Sequence, residues 1–190
     1  EKFVLAISGG IDSVALAYLC HQMKMNFELA HCNFNLRGQE SDDDEVFIEQ
    51  LGSNLSIPVH VKKFETLQYA KEYKMSVQMA ARSLRYSWFN DLAEGNKFKY
   101  IVTAHHADDN FETFLINLFR GTGLDGLLGI PEVNNNIVRP LLPFKREAIE
   151  KFAENFNLQW REDSSNTSTK YVRNKIRQEV LPVLKKINPQ

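Results

Sequence analysis

Five of the six residues at positions 8–13 (Ser8, Gly9, Gly10, Ile11, Asp12 and Ser13) are small or polar, and apolar stretches flank them on both sides. Gly9 and Gly10 permit a tight turn and let the backbone approach a ligand closely. The helix start behind them would supply unpaired N–H groups and a partial positive charge. Ser8 and Ser13 add hydroxyl donors. This is the chemistry of a phosphate cradle. Asp12 would repel a bare phosphate, so its presence points to a bridging Mg²⁺. The Gly-Lys-Ser/Thr ending of the Walker loop is absent, and so is the Gly-x-Gly-x-x-Gly pattern. The alternative is an ordinary strand-to-helix turn with Asp12 or Ser8 as its N-cap.

A second constellation, His105-His106-Ala107-Asp108-Asp109-Asn110-Phe111-Glu112, follows another apolar run. Asp109 and Glu112 are three residues apart and share one face at a helix start. Two such carboxylates could hold an ammonium group and position it for attack. They also match a capping box with Asp109 as N-cap, and the two roles are compatible. His105 is a candidate base for deprotonating an amine. Adjacent histidines point in different directions, so His105 and His106 make a poor metal pair. The stretch from Gly121 to Gly126 matches Gly-x-Gly-x-x-Gly as text but follows a helix, so it reads as a mobile glycine loop. His31, at the end of a strand, could contact adenine or ribose or could be a buried structural histidine. Arg82 and Arg85 sit one turn apart on an amphipathic helix, and Arg37 lies in a loop. Lys170, Arg173, Lys175, Arg177, Lys185 and Lys186 make the last segment the most basic in the chain. Arg173 and Arg177 face the same way, with Val172, Ile176 and Val180 on the opposite, apolar face. Pro182 should end or kink that helix. The arrangement suits docking on a sheet while offering cations to RNA phosphates.

The elements that must position these groups follow from periodicity. Apolar runs at 2–7, 27–34, 58–64, 99–104 and 136–142 read as strands, the last weakened by Pro140. Helical spacing runs through Ala15, Leu16, Leu19 and Met23, through Val77, Ala81, Leu84, Trp88 and Leu92, and through Phe111, Leu115, Leu118 and Phe119. A helix opening at acids 42–45 would take Ser41 as N-cap, and residues 145–157 read as helical. Alternating strands and helices predict an α/β fold: an open parallel sheet of about five strands with helices on both faces. We read residues 1–142 as one α/β domain and 143–190 as a helical extension. The chain starts without Met, and a further domain is expected beyond residue 190.

Composition limits the choices. Hydrophobic residues make up 43% and charged residues 25% of the 190, with a net charge of −1, so no global basic field announces nucleic acid. Two isolated cysteines, Cys20 and Cys32, disfavour a disulfide scaffold, a cluster or a zinc ribbon and fit a reducing cytoplasm. No stretch approaches a membrane span, and no basic start is followed by a secretory core.

The hexapeptide 8–13 resembles the Ser-Gly-Gly-x-Asp-Ser signature of the PP-loop ATP pyrophosphatases, in which the loop holds the pyrophosphate end of ATP. The stretches 30–38, 80–89, 103–129, 139–142 and 160–177 are similar, in order, to the catalytic domain of one branch, the tRNA(Ile)-lysidine synthetases. Phe34 departs from the second histidine often found in that branch. The resemblance implies that ATP adenylates the wobble cytidine of a CAU-anticodon isoleucine tRNA, and that free L-lysine then displaces AMP. It implies catalytic roles for Asp12, Arg85, His105, Asp109, Glu112 and Arg177. It assigns ATP to Ser8, Gly9, Gly10, Ile11, Asp12, Ser13 and His31, tRNA to Arg37, Arg173 and Arg177, and Mg²⁺ to Asp12. A homodimer is compatible with it. The competing expectations are tRNA thiolation and a non-catalytic ATP- or RNA-binding module.

Overall fold

The computed structural model describes residues 1–162 and 172–187. Strand β1 (Phe3–Ala6) is followed by α1 (Ile11–Gln22), β2 (Phe27–Asn33), α2 (Gln39–Leu55) and β3 (Val59–Lys63). Next come α3 (Thr66–Glu72), α4 (Val77–Asn96), β4 (Tyr100–Val102) and α5 (Ala107–Phe119). The short α6 (Leu124–Leu127) takes in the second half of the glycine-rich stretch, before β5 (Val133–Asn134), β6 (Ile137–Val138) and α7 (Arg146–Asn155). The last segment is α8 (Val172–Lys175), a π-helical turn (Ile176–Val180) and α9 (Leu181–Ile187).

The sheet order is β3-β2-β1-β4-β6-β5. All neighbours are parallel except the β5–β6 pair. Strand β1 is central, pairing Phe3 with Phe27 on one side and with Tyr100 on the other. Its alternating side chains feed both faces. Phe3 and Leu5 join Leu16, Ala17, Leu29, Ile48 and Ile149 in one cluster. Val4 joins Ala30, Trp88, Phe89 and Ile101 in the other. Val4, Leu5, Leu29 and Ile101 are fully buried. Helices α1, α2 and α7 cover the first face and α4 the second, as expected of a parallel sheet buried on both sides.

Four local expectations change. The fifth strand shrinks to Ile137–Val138 because Asn135 (φ 53°) turns the chain into a two-residue hairpin with β5, which runs antiparallel at the sheet edge. Helix α2 starts at Gln39 with Gly38 as N-cap; Ser41 lies inside it, its Oγ accepting the Arg37 N–H at 3.2 Å. Pro182 does not end the last helix. The backbone widens into the π-turn just before it and continues as α9. Val172 is exposed, and the apolar face consists instead of Ile176 and Leu181 packed on Leu115 of α5, with Val180 and Leu184 at its edge.

Candidate nucleotide site and its carboxylate cluster

The loops after β1 and β4 leave adjacent strands at the point where the strand order reverses, the usual ligand position in an open α/β sheet. Gly9 adopts φ +88°, and a Cβ there would find only ordinary contacts, with Phe47 at 3.6 Å and Ile48 at 3.7 Å. Its requirement for glycine is therefore conformational. Gly10 is the N-cap of α1, so neither Asp12 nor Ser8 caps the helix, and the cap makes no side-chain hydrogen bond. The serines shape the loop: Ser13 Oγ donates to the Gly10 carbonyl at 2.9 Å, accepts the Ser8 N–H at 3.2 Å and lies 3.2 Å from Ser8 Oγ. Ser8 Oγ in turn accepts the Gly10 N–H at 3.3 Å. Ile11 points into the core, so any contact it makes with an anion must run through its amide.

Asp12 stands on the first turn of α1. Its Oδ2 accepts from Arg146 Nη1 at 2.7 Å, while Oδ1 is buried without a hydrogen-bond partner, 3.7 Å from His106 Nε2. Burial pushes its carboxyl above the ordinary value, against the pull of Arg146 and His106. Among the described residues no group of three or more His, Cys, Asp or Glu side chains could hold a metal ion. A phosphate-bridged Mg²⁺ needs only one or two carboxylates, and the orphaned Asp12 Oδ1 fits that need.

The loop after β4 brings the acids in. His106, 3% exposed, is the N-cap of α5, and its N–H donates to Asp109 Oδ2 at 3.1 Å. Asp109 is thus the third residue of the helix reaching back to the cap, and the capping register with Asp109 as N-cap is corrected. Its other oxygen lies 3.3 Å from Arg177 Nη2. Glu112 has no exposure and receives the Arg177 fork, Nε at 2.6 Å and Nη2 at 3.0 Å, with Arg173 Nε at 3.5 Å. Burial by itself would lower the pKa of Arg177, but Glu112, Asp109 and Asp12 together raise it. Arg173 also donates to Thr113 Oγ1 at 2.7 Å.

His105 lies within 2.9 Å of Thr103 Oγ1. Burial, aided by Arg139, Arg173 and Arg85 and opposed by Asp109, lowers it to about 4. Arg85 is half-buried, its guanidinium 5.1 Å from the centre of the Phe34 ring. His31 is buried beside the glycine loop, Nδ1 3.0 Å from the Ile7 carbonyl, and burial lowers its pKa. Arg37 is paired with Asp44 and Glu40. Asp44 also receives Arg161 Nε at 2.9 Å, and the Arg161 N–H donates to the Gly9 carbonyl at 2.9 Å. Burial raises Cys20 to about 11 and Cys32 to about 12, so both thiols stay protonated.

The fold therefore gathers the 8–13 loop, Asp109, Glu112, Arg177 and His105 at one sheet end, with Arg85 in electrostatic range and Arg37 set apart on Asp44. Sequence reasoning did not single out Arg146, Arg161, His106 or Asp44 as site residues. Arg161 lay inside a resembling stretch, whereas Arg146 opens a helix that was read from the sequence but given no site role. Lys170 lies outside the described residues.

An open α/β sheet with an uncapped helix start and a glycine loop at its switch point belongs to the class of phosphate-binding nucleotide folds. The chain is a member of the PP-loop family: a PP-loop domain model matches residues 1–184. All of it is 47% identical to 42% of the tRNA(Ile)-lysidine synthase of Porphyromonas gingivalis, and 48% identical to 44% of that of Bacteroides thetaiotaomicron. It spans less than half the length of these two curated relatives. The U34-tRNA thiolase NcsA of Methanococcus maripaludis shares the fold, with a TM-score of 0.80 at 19% identity over 99% of this chain and 67% of that one.

Proposed function

We propose that the protein uses ATP to ligate lysine to the wobble cytidine of a CAU-anticodon isoleucine tRNA through an adenylated cytidine. The observation that carries this is the open first turn of α1, flanked by Asp12 and by the Asp109–Glu112–Arg177 cluster, in a chain nearly half identical to two lysidine synthases. The cytidine ring oxygen attacks the α-phosphate, pyrophosphate leaves, and the lysine ε-amine then displaces AMP. Charge neutralisation is the main requirement of the first step. The amides of Ile11, Asp12 and Ser13 receive the pyrophosphate. Bound Mg²⁺, held by Asp12, would add a Lewis acid on the phosphates. Arg85 is free to pivot from the Phe34 face towards the α-phosphate or the cytidine phosphate.

The second step needs a neutral amine. A general base works best with a pKa near the working pH, so the value of about 4 leaves His105 neutral but a weak acceptor for the lysine proton. Asp109 is the more accessible acid for the lysine ammonium, with 15% side-chain exposure against none for Glu112. Glu112 acts through Arg177, holding its fork beside Asp109. Of the three arginines assigned to tRNA, Arg173 has the most exposed side chain, at 44%, and is the best placed for an RNA phosphate.

The test is to incubate the protein with Mg-ATP, labelled lysine and the CAU tRNA. Lysine in the isolated nucleoside is the expected outcome. Sulfur incorporation from a sulfide donor in its place would favour a thiolation enzyme, and ATP binding without any transfer would favour a binding module.

A further inference from the structure

Arg146 has no role in the scheme above, yet it touches the first turns of the helices that follow both central strands. Its backbone N–H donates to Asp108 Oδ2 at 2.8 Å, next to the β4 loop. Its Nη1 reaches Asp12 Oδ2 at 2.7 Å, and its Nε reaches Glu150 at 2.9 Å. The side chain is 36% exposed and Asp12 23%, so the pair lies at the lip of the glycine loop rather than in the core. Asp12 is therefore neutralised by a guanidinium where the proposed reaction places a polyphosphate. A carboxylate cannot keep its guanidinium fully engaged when a more highly charged, multidentate anion arrives within reach, because Arg forks favour phosphate as readily as carboxylate.

We infer that Arg146 is an exchangeable cation, holding Asp12 in the nucleotide-free protein and moving to the β- and γ-phosphates when ATP binds. This rests on the ATP reading of the site. The exchange would free Asp12 Oδ2 beside the orphaned Oδ1 and place a second cation on the leaving pyrophosphate. A purely structural counter-ion to Asp12 would do neither.

Calorimetric titration with ATP, pyrophosphate and AMP separates the two roles, using wild type, Arg146→Ala and Arg146→Lys. If Arg146 grips the distal phosphates, Arg146→Ala weakens ATP and pyrophosphate about tenfold or more, as loss of one charge-assisted fork implies. AMP affinity stays within about twofold, and Arg146→Lys recovers part of the loss. Asp12→Asn, titrated with pyrophosphate in metal-free buffer, binds more tightly than wild type because the competing carboxylate is gone. Unchanged or tighter ATP binding by Arg146→Ala overturns the inference, as does unchanged pyrophosphate binding by Asp12→Asn. Absence of ATP binding by the wild type removes the nucleotide reading and this inference with it, whereas wild-type binding with a silent Arg146→Ala removes this inference alone.

Discussion

Gly9 and Gly10 are neighbours with different reasons to be glycine, and substitution separates them. At φ +88° an alanine at position 9 is strained by about 1–2 kcal/mol. Gly9→Ala should lower the unfolding free energy by that amount and weaken ATP binding by turning the loop amides away. Gly10 has φ −72°, and its added Cβ would meet only Ser8 Oγ at 3.5 Å. Gly10→Ala should leave stability within about 0.5 kcal/mol while weakening ATP, because the methyl group enters the cradle. Thermal unfolding and ATP titration of the two variants check both expectations. Such residues are legible in sequence because a glycine pair, an acid and a serine at a strand end carry local meaning. Arg146 is not: its partner Asp12 lies 134 residues away, and no spacing rule connects them. The acids at 109 and 112 were legible as a pair, but their different burial was not, since that depends on where Arg177 docks.

The joint between α5 and the last helical segment rests on an uneven ion pair. Glu112 is fully buried, whereas the Arg177 side chain is 38% exposed. Arg177→Ala leaves a buried carboxylate with only Arg173 nearby, a loss of about 3–5 kcal/mol. Glu112→Gln keeps the shape and leaves a guanidinium that reaches both water and Asp109, a loss of about 1–3 kcal/mol. Denaturant unfolding should rank them in that order, and the reverse order would contradict the burial of the anion. A second element contact is purely steric. A Cβ on Gly52 of α2 would lie 2.1 Å from Val59 Cγ2 and 2.9 Å from the Ile57 carbonyl. Gly52→Ala should therefore cost about 1–3 kcal/mol by overpacking. The strands and helices were legible from period and punctuation. The departures have local causes: αL Asn135 opens a hairpin, Gly38 takes the cap from Ser41, and a π-turn absorbs Pro182.

Across the whole molecule, the acid side of the stability profile carries the signature of His105. Its native value of about 4 lies below the ordinary 6.5. Above pH 6.5 neither state is protonated, so the group contributes no difference. Between about 6.5 and about 4 the unfolded chain binds a proton that the native protein refuses, and stability falls as pH falls. His105→Asn should flatten the slope of unfolding free energy in that window, measured against wild type in matched buffers.

The position of β1 at the centre of the sheet has a consequence for biosynthesis. This strand bonds on both edges, to Phe27 and onward and to Tyr100 and onward. Its second edge therefore waits for about a hundred residues of synthesis, and until then it exposes unpaired amides and Val, Leu and Phe side chains. High contact order of this kind slows folding and leaves the nascent chain prone to wrong pairing. Wrong pairing during translation, rather than fragility once made, is the liability this topology builds in.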